Sequence, residues 1–205
     1  MRFPSKVLVL LFGVVIGIIL GVEIVHLAGA KSCPSNQCPA FDAINPGDIF
    51  AFSDAYYTGT VIGQINIAES SIDVVMFEVR YYKSRPESSA NKILESLVAA
   101  KKRGVNVRVV AEGGEAYLGD SFEKGNKAGI DYLVKNGVGV RLDPKNVTTH
   151  AKLVVIDGKT VIVGSTNWNY NSLDNNHETD ILVNSQKAAQ YFGDYFERLW
   201  RGDAT

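Results

Sequence analysis

Cysteine is scarce. The 205 residues hold two, Cys33 and Cys38, too few for a disulfide-built scaffold and half of what a four-ligand metal site requires. Proline, at six, and glycine, at 19, are not enriched, which excludes collagen-like and low-complexity classes. No internal repeat is found, so solenoids and propellers are excluded as well. An excess of positive charge is also missing. Lys and Arg number 21 against 22 Asp and Glu, a formal charge of −1, so the strongly basic signature of a non-specific nucleic-acid binder is absent. What is present is 46% hydrophobic and 21% charged. That is a globular composition, with enough apolar surface to offset chain entropy on folding. The length suits one ordinary domain with an appendage.

The appendage is N-terminal. Arg2 and Lys6 precede residues 7–22, sixteen positions without a charge (VLVLLFGVVIGIILGV). Such a run behind basic residues reads as a signal peptide or a membrane anchor. Continued through Glu23 and His26 to residue 28, it reaches spanning length. Ala28-Gly29-Ala30 is a small-x-small pattern that a signal peptidase accepts. The expected organisation is therefore residues 1–30 as signal or anchor, 31–47 as a linker carrying the cysteines, and 48–203 as the catalytic domain. The chain would be membrane-anchored through residues 7–28 with that domain outside the cytoplasm, or secreted or periplasmic if cleaved. In an exported chain, Cys33 and Cys38 suit a small disulfide loop.

Beyond the linker, strand and helix patterns alternate. Strands are expected at residues 49–52, 71–78, 105–111, 138–142, 152–156, 160–163 and 181–183. Helices are expected at 58–68, from a Ser88 or Ser89 cap to the basic end at 101–104, at 120–135, and from a Ser185 cap to Trp200. Asp157-Gly158 between two β-rich runs is a hairpin signal. The fold class is α/β, a mixed sheet flanked by helices with one antiparallel hairpin, preceded by the apolar N-terminal helix.

The chemistry concentrates in HAKLVVIDGKTVIVGSTNWN, which begins at His150. Read as a strand, it puts Lys152 on the same face as His150. The hairpin returns Gly164, Ser165 and Asn167 to the same end. A nucleophile, a cation and neutral donors then converge, as a phosphate site requires. No carboxylate cluster or repeated His spacing calls for a metal, and no cofactor is expected. Asp157, at the turn, reads as a turn former, and His177 points elsewhere. Arg80, Lys83, Arg85, Lys124 and Lys127 are candidates for a local basic groove, although residues 31–205 carry 19 Lys and Arg against 21 Asp and Glu, a formal −2.

His150-x-Lys152-x4-Asp157-x6-Gly164-Ser165-x-Asn167 resembles the HKD motif of the phospholipase D superfamily, complete in residue type and spacing. GQINIAESSIDVVMFEV and AAKKRGVNVRVVAEG are similar to the first half of that family's domain. Within the superfamily the chain is most similar to short single-motif bacterial nucleases and to mitochondrial-type proteins with an N-terminal membrane segment. The resemblance implies a phosphodiesterase in which His150 attacks phosphorus to form a phosphohistidine. Lys152, Ser165 and Asn167 would hold the phosphate oxygens, and Glu178 would orient the His150 imidazole. It also implies a metal-independent endonuclease on DNA or RNA, or else a phospholipase, cardiolipin hydrolase or phosphatidyl transferase on membrane lipids. Two-motif relatives supply one histidine from each half. A single-motif chain would supply both as a homodimer with a shared active site.

Overall fold

A computed structural model of the chain describes residues 44–113, 119–143 and 147–203. The apolar run and both cysteines, on which the anchor and disulfide expectations fall, lie outside the described residues. Among the described residues no helix is long and apolar enough to cross a membrane.

A short 3₁₀ turn (Pro46–Asp48) leads into β1 (Ile49–Ser53). Then follow α1 (Tyr56–Ile67), β2 (Ser71–Met76), α2 (Ser89–Lys102), β3 (Asn106–Ala111), α3 (Gly119–Lys135) and β4 (Gly139–Leu142). The chain continues with β5 (Lys152–Ile156), β6 (Thr160–Gly164), α4 (Tyr170–Asp174), β7 (Thr179–Asn184) and α5 (Gln186–Arg201). The strands form one sheet in the order β1-β7-β6-β5-β2-β3-β4. β2, β3 and β4 are parallel, and every other pairing is antiparallel. The sheet is mixed, as expected, but its antiparallel part extends well beyond one hairpin.

Local chemistry explains the element ends. Ser88 accepts from the Asn91 N–H at 3.3 Å to cap α2, and Ser185 accepts from the Ala188 N–H at 3.2 Å to cap α5. The β5–β6 hairpin turns through Asp157 and Gly158, both at positive φ (54° and 61°), the geometry of a type I′ turn. The strand expected over residues 71–78 ends at Met76, and the short α4 carries too little periodicity to be read from sequence.

β5 shows why the fold holds. All five of its residues are buried. Val154 and Ile156 join the cluster formed with α1, α2 and α3, which contains Val61, Ile93, Leu97 and Leu133. Leu153 and Val155 join the opposite cluster, with Phe196 and Leu199 of α5. A strand buried on both faces reads as a continuous apolar run rather than an alternating one. Each such side chain contributes about 1.5–3 kcal/mol by burial, against about 0–1 kcal/mol for an exposed pair such as Lys127–Asp131. The two apolar layers therefore set the position of the site.

Asp157 locks the far end of this hairpin. Its carboxylate accepts from the N–H groups of Glu69 (3.0 Å), Ser70 (2.7 Å) and Ser71 (2.9 Å) and from the Ser70 hydroxyl (2.8 Å). Partial burial alone would raise this carboxyl, but the backbone donors outweigh it and bring it down to about 2. Because the folded value lies below the ordinary one, the contribution to stability is complete above about pH 4 and is lost as pH falls toward about 2. Asp157→Asn is expected to reduce stability at neutral pH by about 1–3 kcal/mol, measured by urea unfolding, with that difference narrowing in acid.

Candidate active site

The C-terminal ends of the parallel strands β2 and β3 lie beside the start of β5, the end of β6 and the start of β7, since Met76 pairs with Lys152 and Gly164 with Asp180. Open α/β sheets place ligands at this carboxyl end. His150 lies two residues before β5 rather than on it, and is exposed. Its ring packs against Phe77 with centroids 4.6 Å apart. Lys152 is buried, at 7% exposure, yet its ammonium reaches back to the site. Nζ donates to the His150 carbonyl at 2.7 Å and lies 3.2 Å from ring Nδ1 and 3.4 Å from Nε2. The two residues therefore meet, through the length of the lysine rather than through a shared strand face.

Burial, reinforced by the Lys152 charge, holds the His150 imidazole below its ordinary value, with Glu78 pulling the other way. Burial likewise lowers the Lys152 ammonium, opposed by Glu178 and Glu78. Both causes favour the unprotonated imidazole, the state a nucleophile needs.

The return of the hairpin supplies the rest. Gly164 is required by space, since a Cβ there would lie 2.1 Å from Asp180 Oδ1 and 2.5 Å from the Thr179 carbonyl. Buried Asp180 accepts from the Thr166 hydroxyl at 2.5 Å, which fixes the chain between Ser165 and Asn167. The Ser165 hydroxyl donates to Glu178 Oε2 and accepts from the Thr179 N–H at 3.1 Å. Glu178 also accepts from Asn176 Nδ2 at 3.3 Å, and its backbone N–H donates to Asp54 at 2.8 Å. The expected Glu178–His150 contact is thus not made within one chain. The Glu178 carboxylate is taken up by its own hairpin, and the His150 ring faces Lys152. Among the described residues, Asn167 Oδ1 is the one buried side-chain polar atom without a hydrogen-bond partner. Asp157 sits at the other end of β5, roughly 16 Å from Lys152 at about 3.3 Å per residue. His177 is fully exposed and lies 3.4 Å from Asp54.

Sequence reasoning missed the residues beneath His150. Glu112, just after β3 and buried, accepts from the Thr149 N–H at 2.7 Å, one residue before His150. The Thr149 hydroxyl donates to Asp143. Asn126 of α3 donates to the carbonyls of Phe77 (2.8 Å) and Glu112 (3.3 Å) and accepts from the Val79 N–H at 3.1 Å. It thereby ties the segments that follow β2 and β3. The one signal in the sequence is a carboxylate directly following the apolar run of β3.

A mixed sheet of this order, carrying His150, Lys152, Ser165 and Asn167 at its carboxyl end, defines a phospholipase D-like domain. The family model described as "Cardiolipin synthase, PLD-like domain" matches residues 61–200. The chain belongs to the phospholipase D superfamily. It is 28% identical over 137 residues to the mitochondrial cardiolipin hydrolase of Canis lupus familiaris, covering 56% of this chain and 51% of that one. It is 30% identical over 149 residues to a phospholipase D of Rickettsia prowazekii, covering 72% and 65%. Among solved structures, the phospholipase D family member Nuc from Salmonella typhimurium superposes with a TM-score of 0.61 at 25% identity, covering 75% of this chain and 94% of Nuc. The chain spans about half the length of the mitochondrial relatives it matches.

Proposed function

We propose that the protein is a metal-independent phosphodiesterase, an endonuclease on DNA or RNA that works through a phosphohistidine on His150. The observation that carries this reading is the exposed His150 imidazole with the buried Lys152 ammonium held against it, 3.2 Å from its ring Nδ1. The imidazole nitrogen attacks phosphorus in line with the P–O bond that breaks, so a P–N bond forms as the alkoxide leaves. The alkoxide takes a proton from a second imidazole. That imidazole then removes a proton from water as the water oxygen attacks phosphorus and the P–N bond breaks, which restores both histidines. Lys152 and Ser165 stabilise the charge on the non-bridging oxygens. Asn167, on the returning strand segment, joins them through its NH₂ while its Oδ1 stays turned into the protein.

The second imidazole comes from a second copy of the chain. The other described histidine, His177, faces solvent and Asp54. A twofold pair brings the same patch of both copies together, and Glu178 of each then serves the imidazole opposite. The resemblance of the HKD segment to short single-motif bacterial nucleases favours the nuclease reading. Relatives named for cardiolipin hydrolysis and phospholipase D favour a second reading, the same P–O chemistry on a lipid headgroup. Residues 7–28, if not cleaved, would hold the domain at a membrane, outside the cytoplasm; cleavage would leave it secreted or periplasmic.

The test uses the full-length chain with single-stranded DNA, RNA and cardiolipin vesicles, each with EDTA. Nucleic-acid cleavage undiminished by EDTA is the expected result. Cleavage of cardiolipin alone would transfer the function to the lipid reading, and loss of activity in EDTA would remove metal independence. Specific activity should fall on dilution below the dimer dissociation constant; a monomer fully active at nanomolar concentration would overturn the shared site.

A further inference from the structure

Two cavities adjoin on the face made by α3 and the segment that follows β2. One, of about 590 Å³, runs from Glu78 past Arg80 and Arg85 to Tyr170. The other, of about 470 Å³, is walled by Tyr81, Lys83, Lys124, Lys127, Tyr132 and Lys135. Tyr81 and Ala128 line both, so the two lie side by side as adjacent parts of one grooved face. We propose that this groove is a subsite for the backbone of a single-stranded nucleic acid, gripping the strand beyond the phosphate that is cut. The proposal rests on the phosphodiesterase reading above and extends it to a second stretch of the substrate.

Charge is the first argument. In a chain of net charge −1, four lysines converge on one wall with a single carboxylate, Asp131, which pairs with Lys127 at 2.8 Å. Among the described residues, Lys83, Lys124 and Lys135 form no ion pair. Lys124, Lys127, Asp131 and Lys135 recur three or four residues apart on α3 and so lie along one stripe of the helix. Across these eleven steps the stripe is about 16 Å long, at about 1.5 Å per residue. The unpaired ammonium groups of Lys83, Lys124 and Lys135, with the Lys127–Asp131 pair between the last two, suit a polyanion.

Aromatic surface is the second. The rings of Tyr81 and Tyr132 stack at 4.0 Å with 10° between planes, and the Arg85 guanidinium lies 4.2 Å over Tyr170. Flat rings and guanidinium planes beside a cationic groove are what unpaired bases stack upon.

Continuity with the site is the third. Phe77, whose ring touches His150, begins the segment that reaches Glu78, Arg80, Tyr81 and Lys83. Six residues span at most about 20 Å, so a strand with one phosphate at His150 reaches the lysines within a few nucleotides.

The full-length triple variant Lys83→Glu/Lys124→Glu/Lys135→Glu tests this. Binding of a fluorescent 20-mer of thymidylate is measured by anisotropy across salt concentrations, in a His150→Asn background so that the strand stays whole. Turnover of bis(p-nitrophenyl) phosphate, too small to reach the groove, is measured with His150 intact. The expected result is a Kd at least tenfold higher and a salt dependence shallower by about 2 in log–log slope, at about 0.7 per lost phosphate contact, with turnover of the small diester within twofold of wild type. Oligomer binding equal to that of the background would overturn the subsite while the small-diester activity left the phosphodiesterase reading standing. Loss of small-diester turnover in the variant would place these lysines in the catalytic site and overturn a separate subsite. Unchanged oligomer binding with lost binding to cardiolipin–phosphatidylcholine vesicles would reassign the groove to lipid. A wild-type protein inert toward the small diester would instead sink the reading on which the proposal rests.

Discussion

His150→Asn removes turnover of bis(p-nitrophenyl) phosphate by about 10⁴-fold or more, the scale on which enzymes lose rate when the nucleophile itself is deleted. The amide keeps a polar group of similar reach but has no nitrogen lone pair available to attack phosphorus. The fold survives the change. His150 is exposed and lies before β5, and the segment that carries it is pinned through Thr149 to Glu112 and Asp143. Stability should therefore move by no more than about 0.5 kcal/mol. Steady-state kinetics beside a urea unfolding curve checks both halves. Activity within tenfold of wild type would exclude His150 as nucleophile. A large loss of stability would mean that the rate change reports on folding.

Lys152→Ala costs about 10²–10³ in kcat, the loss typical of removing one preorganised group that stabilises developing charge. It also moves the pH profile, in a direction the site dictates. His150 is held below its ordinary value first by burial and then by the Lys152 charge. Deleting the ammonium removes the second cause and lets the imidazole bind its proton at higher pH. The nucleophile works unprotonated, so the acid limb of kcat/KM, which the same two causes hold down in the wild type, shifts upward in the variant. Lys152→Arg should not rescue the rate. The lysine stem is buried, and its point charge reaches the His150 carbonyl at 2.7 Å, a geometry the planar guanidinium fork does not share. Profiles between pH 5 and 8 provide the measurement. An unshifted acid limb would show that Lys152 does not act on His150.

What the sequence made legible follows from the range of the interactions involved. Asp157-Gly158 announced its hairpin because two residues at positive φ are a local demand, and the hairpin returned Gly164, Ser165 and Asn167 toward the Lys152 end of β5. The helices showed in caps such as Ser88 and Ser185, which act over three residues. Glu112 and Asn126 stayed hidden because their partners, Thr149, Phe77 and Val79, are 37 to 49 residues away. The pairing of β1 with β7 stayed hidden for the same reason. Glu178 was suggested by the family resemblance, but a resemblance carries no information on which hydroxyl or ring its carboxylate meets. The basic groove shows the limit from the other side. Lys83, Lys124 and Lys127 were identifiable singly, while an acidic total charge concealed that the fold draws them onto one wall.

The stereochemical course at phosphorus tests the covalent route most directly. A diester made chiral at phosphorus by sulfur and isotopic oxygen is hydrolysed by the full-length protein, and the configuration of the product is determined. Attack by His150 followed by attack of water on the phosphohistidine inverts phosphorus twice, so net retention is the predicted result, absent altogether with His150→Asn. Net inversion would mean a single direct displacement by water and would contradict the mechanism.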